Sequence, residues 1–269
     1  MGEMRGKVAL ITGASSGIGA ALARRFAAEG AHLAVAARRA DRLEALAAEL
    51  RGTGARVLPL ACDVTKDGDP ERAAAAARAE FGPADVVVAN AGFGVGGRVD
   101  ALGVDDYRRQ FETNVFGVLR TVYATLDDLK QTRGRLALMG SINGYLATPG
   151  LSPYAMSKFA VRALATSLRY ELLGAGVSVT HVAPGYVRSE IRQVDRFGVY
   201  HPEAPDRAPG WLAVDADVAA RKIVSAIRRR RAECVITGHG KAAVWLARHT
   251  PGVVSGLVRL RQAMKRRGG

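Results

Sequence analysis

Short apolar runs alternate with stretches of helical periodicity along most of this chain. Seven runs have the length and character of buried parallel strands, which are apolar on both faces. They lie at 7–12, 32–37, 56–61, 85–89, 135–139, 177–182 and 234–237. Between them, apolar residues recur every three or four positions and predict helices. The helices lie at 17–30, 41–50, 70–81, 105–130, 154–173 and 215–231. This alternation predicts an α/β fold, a doubly wound (Rossmann) seven-stranded parallel sheet with helices on both faces.

The segment at 190–212 departs from this alternation. Helical periodicity fails there, and prolines at 202, 205 and 209 prevent a long helix. Aromatic and aliphatic residues accumulate instead: Ile191, Phe197, Val199, Tyr200, Trp211 and Leu212. We expect a mobile lid, the alternative being a surface excursion whose apolar residues pack on the core.

The C-terminal segment at 240–269 is basic and amphipathic. No acidic residue follows Glu233, and a predicted helix places four apolar residues on one face: Val253, Leu257, Leu260 and Met264. Such a helix, with Trp245 upstream, favours contact with a membrane surface, and packing in an oligomer interface is the alternative. The chain is therefore predicted to form one catalytic domain at 1–239, including the lid, and an extension at 240–269.

Composition narrows the class of protein. The 269 residues suffice for one large domain, with 48% apolar and 24% charged residues. The net charge is +14, but the arginines are scattered and aromatic residues make up only 6%, so nucleic-acid binding is not expected. Cys62 and Cys234 lie far apart with no motif around them, which predicts reduced thiols in a cytoplasmic protein and no metal site.

A glycine-rich turn follows the first predicted strand. The segment at 12–19 reads TGASSGIG, with spacing Gly-x-x-x-Gly-x-Gly. Gly13 permits the tight turn, Gly17 lets the backbone approach a pyrophosphate, and Gly19 allows close packing of helix on sheet. The turn predicts a dinucleotide cradle, with contacts from Gly13, Ser15, Ser16, Gly17, Ile18 and Gly19.

The end of the second strand indicates which dinucleotide binds. A carboxylate at this position would bind the ribose diol of NAD. The chain has Ala37 there, followed by Arg38 and Arg39, whose guanidiniums suit a 2′-phosphate. The sequence therefore favours NADP over NAD.

Four polar residues lie beyond the turn: Asn114, Ser141, Tyr154 and Lys158. Tyr154 and Lys158 stand four apart on one predicted helix and so share a face. This set, behind the glycine turn, resembles the short-chain dehydrogenase/reductase family, in its single-domain subgroup of roughly 250 residues. The resemblance extends from about residue 6 to residue 234.

The resemblance implies a role for each catalytic residue. Tyr154 would donate a proton to the substrate carbonyl as hydride arrives, and accept it in reverse. Lys158 would lower the pKa of Tyr154 and hydrogen-bond the nicotinamide ribose. Ser141 would hydrogen-bond the reacting oxygen, and Asn114 would anchor a water that links Lys158 to solvent.

The resemblance also implies further cofactor contacts. They come from Asp63, Val64, Asn90, Ala91 and Gly92 on the adenine side, and from Pro184, Gly185, Val187 and Ser189 on the nicotinamide side. Two positions depart from the family pattern: Ala89 stands where a second Asn is frequent, and Ser189 where Thr is usual.

These residues predict an NADP-dependent oxidoreductase that interconverts a carbonyl and an alcohol. Apolar residues near the expected pocket mouth (Phe93, Tyr145, Leu146 and Leu151) favour a lipophilic substrate, such as a steroid, retinoid, fatty or aromatic ketone or aldehyde. The alternatives are a 3-oxoacyl thioester reductase and a non-catalytic NADP-binding sensor or scaffold. By resemblance we expect a cytoplasmic homo-oligomer, a dimer or tetramer, built through the helices at 105–130 and 154–173.

Overall fold

Seven parallel strands form one sheet in the computed structural model, which describes residues 4–205, 210–250, 252, 253, 255, 256 and 259. The strands are β1 (Val8–Thr12), β2 (His32–Ala37), β3 (Val57–Ala61), β4 (Val86–Ala89), β5 (Arg135–Met139), β6 (Ser178–Ala183) and β7 (Glu233–Val235). Their order is β3-β2-β1-β4-β5-β6-β7, and every neighbouring pair is parallel. The predicted doubly wound sheet is confirmed.

Helices cover both faces of the sheet. They are α1 (Gly17–Ala28), α2 (Ala40–Arg51), α3 (Asp69–Phe81), α4 (Val104–Phe111), α5 (Gly117–Thr132), α6 (Ser152–Glu171), α7 (Ala216–Arg228) and α8 (Gly238–His249). One apolar core packs α1, α2 and α7 against the sheet, and a second packs α3, α5 and α6. Strand order reverses between β1 and β4, so their carboxyl ends open the crevice where such sheets bind ligands.

The helix predicted at 105–130 is not continuous. A π-helical segment, Glu112–Phe116, separates α4 from α5. The wider turn places Asn114 inward and fully buried. Gly117 follows directly, and a Cβ there would lie 2.6 Å from a methyl of Val64, so the absent side chain lets the two segments approach.

The lid and the start of the C-terminal extension both contain regular structure. Within the lid, Glu190–Gln193 forms a 3₁₀ turn and Val194 bridges Tyr200 as an antiparallel pair. The extension begins with α8, capped by Thr237, and buries Val244 against Tyr145 and Ala183. The predicted apolar face at 253–264 lies mostly outside the described residues. No helix in the described ranges is long and apolar enough to cross a bilayer.

Candidate active site

The glycine turn forms a tight cradle between β1 and α1. Gly13 and Gly17 have φ of 65° and 53°, which favours glycine. A Cβ at Gly19 would collide with the carbonyl of Gly13, so this residue brings the helix against the turn. Asn90, at the end of β4, donates from Nδ2 to the carbonyls of Thr12 and Gly13 at 2.9 and 3.1 Å. Asn90, which the sequence predicts as a contact on the adenine side, thus braces the glycine turn through its side chain.

The N-terminus of α1 presents backbone N–H groups without a side-chain cap. The hydroxyl of Ser16, at the cap position, makes no capping bond and instead accepts from Nη2 of Arg39 at 2.8 Å. Uncapped N–H groups and the helix dipole together favour an anion at this position. The cradle therefore suits the pyrophosphate of a dinucleotide.

The two arginines after β2 have different environments. Arg38 is exposed, whereas Arg39 lies over the cradle and also donates to Ser15 Oγ from Nε and Nη2 at 3.2 and 3.1 Å. Asp63 and Val64 complete this side of the crevice. Asp63 accepts from the backbone N–H and hydroxyl of Thr65, and Val64 packs in a small apolar cluster with Ala91 against it.

Three residues that the sequence does not single out as cofactor contacts join Arg39. Glu190 accepts from Arg39 at 2.9 Å and from Arg42 at 2.5 Å, and the ring of Tyr200 lies 5.7 and 5.1 Å from the two guanidinium carbons. Glu190 is 148 residues from Arg42, so no local pattern could have indicated this pairing.

Ser141, Tyr154 and Lys158 converge at the carboxyl end of β5. Ser141 follows the strand and is buried, and its Oγ accepts from the backbone N–H of Asn143 at 3.1 Å. Helix α6 begins at Ser152, so Tyr154 lies in its first turn and Lys158 one turn later. Lys158 Nζ lies 5.6 Å from the centre of the Tyr154 ring and donates to the carbonyl of Met139 at 2.8 Å.

Burial governs the protonation of this pair. Burial raises the pKa of the Tyr154 phenol, while a hydrogen bond with Ser141 and the charge of Arg192 oppose that shift. Burial also lowers the pKa of the Lys158 ammonium to about 8. Burial is the largest influence on the pKa of Tyr154 in this structure, and the lowering of that pKa by Lys158 stays a prediction. Tyr154 stays protonated at neutral pH, the form that a proton donor needs.

Asn114 acts as a clamp on the segment after β4. Its Oδ1 accepts from the Phe93 N–H at 3.1 Å, and its Nδ2 donates to the Phe93 carbonyl at 3.0 Å and to Ser157 Oγ at 3.2 Å. Gly92 lies against it, because a Cβ there would be 2.9 Å from Oδ1 and 3.7 Å from Lys158 Nζ. Both hydrogens of Nδ2 are donated in these bonds, and Oδ1 retains a second lone pair that could accept from a water.

The loop after β6 closes the crevice from the other side. The Pro184 carbonyl accepts from the Ile142 N–H at 3.0 Å, and Val187 is buried. A Cβ at Gly185 would collide with Thr237, so this position is tightly packed. Ser189 faces the cradle, with its Cβ 3.0 Å from where a Cβ of Gly17 would lie. The predicted nicotinamide-side residues thus lie opposite the glycine turn.

A buried histidine lies directly behind Ser141. His181 on β6 has almost no exposed surface, and Tyr145 Oη lies 3.0 Å from its Nδ1. Its Nε2 faces Gly140, where any Cβ would collide with the ring. Burial and the charge of Arg162 lower the pKa of His181 to about 3, so the imidazole is neutral. Tyr145 is consequently part of this packing and does not line an open pocket mouth, contrary to expectation.

The lid contacts both walls of the crevice. On one side Tyr200 and Glu190 meet the arginines after β2, and on the other the Phe197 ring lies 5.1 Å from the guanidinium carbon of Arg109 on α4. Phe197 and Trp211 remain exposed, Trp211 by 86%. Phe93 is buried, and Gly94 lies against the Tyr154 ring, since a Cβ there would be 3.5 Å from it.

Comparison with known proteins assigns the chain to a family. Residues 7–197 match the family model described as short chain dehydrogenase. The 11-beta-hydroxysteroid dehydrogenase 1A of Arabidopsis thaliana is 36% identical over 85% of this chain and 68% of its own length. The glycine betaine reductase ATRR of Emericella nidulans is 36% identical over 85% of this chain, but that match spans only 18% of the relative.

Solved structures agree with this assignment. A short-chain dehydrogenase/reductase from Burkholderia phymatum, in complex with NAD, superposes with a TM-score of 0.83 at 28% identity, covering 91% of this chain and 94% of that one. An alcohol dehydrogenase from Thermococcus sibiricus, complexed with 5-hydroxy-NADP, gives 0.74 at 32% identity, covering 86% and 96%. With its glycine cradle and its Ser141, Tyr154 and Lys158 cluster, the chain belongs to the short-chain dehydrogenase family of nucleotide-binding oxidoreductases.

Proposed function

We propose that this chain is an NADP-dependent oxidoreductase that interconverts a carbonyl and an alcohol on a lipophilic substrate, with Tyr154 as acid and base. The observation that carries the proposal is the convergence of Ser141, Tyr154 and Lys158 beside the glycine cradle. A non-catalytic binding module would not need these three side chains together in one cluster.

The cradle residues would hold the cofactor in a defined orientation. The N–H groups at the start of α1 would bind the pyrophosphate, and Asp63 and Val64 would flank the adenine side. Arg39, which already reaches Ser15 and Ser16, is placed to bind a 2′-phosphate, and this supports NADP. When bound, the nicotinamide supplies or accepts the hydride.

Side chains of the protein would supply the proton that the carbonyl oxygen receives during reduction. Ser141 hydrogen-bonds the carbonyl oxygen as negative charge develops on it. Tyr154, kept neutral by burial, donates its proton to that oxygen in the direction of reduction. The Lys158 ammonium, one helical turn away, stabilises the phenolate that remains. Asn114 holds Gly92 and Phe93 against this group.

The lid supports a lipophilic substrate. It leaves Phe197, Val199 and Trp211 largely exposed, so these side chains are available to cover an apolar molecule. The Arabidopsis relative named as an 11-beta-hydroxysteroid dehydrogenase is consistent with a hydrophobic alcohol or ketone.

Exposed apolar residues on α5 and α6 support a homo-oligomer in the cytoplasm. Tyr123, Met156, Phe159 and Tyr170 are apolar or aromatic and are largely open to solvent. Clusters of this kind on a soluble protein favour association. Cys62 and Cys234 are both free, which agrees with a reducing compartment.

NADPH oxidation against a panel of apolar ketones, aldehydes and 3-oxoacyl thioesters tests the proposed function. We expect turnover with one apolar group, weak turnover with NADH, and loss of turnover in Tyr154→Phe. Preferred turnover of the thioesters would instead favour the acyl reductase. Tight NADPH binding without turnover of any member would contradict catalysis and favour the sensor or scaffold.

A further inference from the structure

A carboxylate from the lid reaches the two arginines that flank the cofactor cradle. Glu190 Oε2 accepts from Arg39 Nη1 at 2.9 Å, and Oε1 accepts from Arg42 Nη1 at 2.5 Å. The glutamate side chain is 26% exposed and the arginine side chains about a third exposed. Each ion pair is therefore partly screened and can be displaced by a stronger competitor.

Further contacts fix this cluster over the glycine turn. Arg39 also donates to the hydroxyls of Ser15 and Ser16, which lie in the turn itself. The ring of Tyr200, ten residues after Glu190, packs on both guanidiniums. The lid, the glycine turn and the start of α2 thus meet around a single carboxylate.

We propose that Glu190 is a specificity-determining residue that sets the balance between NADP and NAD. Strand β2 ends in Ala37 and lacks the acidic residue that binds a ribose diol. Glu190 supplies a carboxylate beside the same arginines from a distant part of the chain. This inference rests on the proposed function, in which Arg39 binds the 2′-phosphate.

The chemistry predicts opposite effects on the two cofactors. A 2′-phosphate carries more negative charge than a carboxylate and would displace Glu190 from Arg39 and Arg42. NAD presents two hydroxyls instead, which donate to Glu190 while it remains on the arginines. Glu190 therefore competes with NADP and assists NAD, and a purely structural role would not change the two affinities in opposite directions.

The variant Glu190→Gln tests this directly. Dissociation constants for NADPH and NADH are measured by titration of nicotinamide fluorescence at low salt. We expect NADPH to bind about fivefold tighter, the size expected when two partly exposed ion pairs no longer compete, and NADH to bind more weakly. Glu233→Gln is the matched control, because Glu233 pairs with Arg248 at 2.5 Å and is similarly exposed at 30%. The control should leave both constants unchanged.

Two further variants test whether the change in cofactor affinity arises from the contact of Glu190 with the arginines. In the double variant Glu190→Gln with Arg42→Ala, the gain for NADPH should disappear. If Glu190→Gln fails to fold, Glu190→Asp, whose shorter side chain cannot span both arginines, should change the ratio in the same direction but less. A ratio of NADPH to NADH affinity that stays constant, or moves toward NADH, would overturn the inference. Tighter binding of NADH than of NADPH by the unmodified protein would contradict only the proposed cofactor preference.

Discussion

Burial shifts both titratable groups of the reacting centre toward their neutral forms. The pKa of Tyr154 rises and that of Lys158 falls to about 8, in each case with burial as the largest cause. A neutral phenol suits the donor in reduction, and an ammonium in an apolar site is held at a cost to stability. The buried ammonium of Lys158 therefore lowers the stability of the fold, and in return it places a positive charge beside the proton donor Tyr154.

Replacement of Tyr154 with Phe tests the proton transfer. The ring and its packing remain, but the hydroxyl is lost, so we expect the rate of carbonyl reduction to fall about 100-fold or more. Cofactor binding should change little, as measured by NADPH fluorescence. A variant that retained a tenth of the activity would show that another group donates the proton.

Replacement of Lys158 with Met should abolish activity yet stabilise the fold. The folded pKa of about 8 lies below the ordinary pKa of a lysine, 10.5, so the folded state disfavours the charge. The shift is worth about 3 kcal/mol at most, and the lost bond to the Met139 carbonyl reduces the net gain to about 1–2 kcal/mol at pH 7. The unfolded state binds more protons between pH 8 and 10.5, so the gain should vanish as pH approaches 10.5.

Urea unfolding of both proteins at pH 7 and pH 10 measures this effect. Lys222→Met is the matched control, because Lys222 also donates to a backbone carbonyl, that of Ile236, at 2.8 Å but is exposed. The control should give no stabilisation. An equal gain in both variants would show that the effect does not arise from burial at the site.

At the scale of elements, the sequence predicts the positions of all seven strands, but it misses the interruption of one helix and the whole of another. Strand positions agree to within about two residues, because buried parallel strands are continuous apolar runs bounded by turns. The helix at 105–130 was predicted as one element, since the wider turn at Glu112–Phe116 barely disturbs a 3.6-residue period. Helix α8 has no counterpart among the predicted helices, because its apolar residues are consecutive at 242–247 and show no helical spacing.

The candidate site was predictable only where its residues follow a local pattern. The glycine turn and the pair Tyr154 and Lys158 have fixed spacing along the chain. The cluster of Glu190 with Arg39 and Arg42 joins residues about 150 positions apart, and only the folded chain reveals it. His181 likewise gave no signal, since a histidine in an apolar strand has no periodic partner.

The π-helical segment fixes the loop after β4, and Asn114→Ala tests this. The change leaves the buried N–H of Phe93 without its side-chain partner, whereas the Phe93 carbonyl keeps the Nε2 donor of Gln110 at 2.9 Å. We expect a loss of about 2 kcal/mol in the free energy of unfolding, from one unsatisfied N–H and the lost hydrogen bonds to the Phe93 carbonyl and Ser157. Asn143→Ala, which removes one partly buried bond to Thr148, should cost below about 1 kcal/mol. Equal losses of unfolding free energy in the two variants would show that the hydrogen bonds of Asn114 stabilise the fold no more than an ordinary partly buried hydrogen bond.

For the whole molecule, His181 should limit stability in acid. Its pKa is about 3 in the folded protein, against the ordinary value of 6.5 for a histidine in the unfolded chain, so the unfolded state binds more protons between these pH values. Stability should therefore fall by about 3 kcal/mol from pH 6.5 to pH 4 through this group alone. His181→Gln should flatten that part of the pH profile in chemical unfolding, whereas His32→Gln, at a partly buried position stacked on Phe81, should not. Identical profiles for both variants would contradict this assignment.

We also propose that the C-terminal tail binds anionic membrane surfaces. Five basic residues follow α8: Arg259, Arg261, Lys265, Arg266 and Arg267. Each contributes about 1 kcal/mol near such a surface. Truncation after Thr250 keeps α8, which packs on the domain, and should abolish co-sedimentation with anionic vesicles but not turnover. Salt should weaken binding of the full chain, and undiminished binding after truncation would dismiss the role.

The contact between Gly140 and His181 makes two distant positions interdependent. A side chain at 140 can be accommodated only if residue 181 becomes smaller, because the imidazole fills the space where a Cβ would lie. Gly140 immediately precedes Ser141, so this exclusion acts on the backbone that carries the hydroxyl. Among natural variants of this chain, residues 140 and 181 should therefore covary, and a change at either one should be tolerated only in the background of a compensating change at the other.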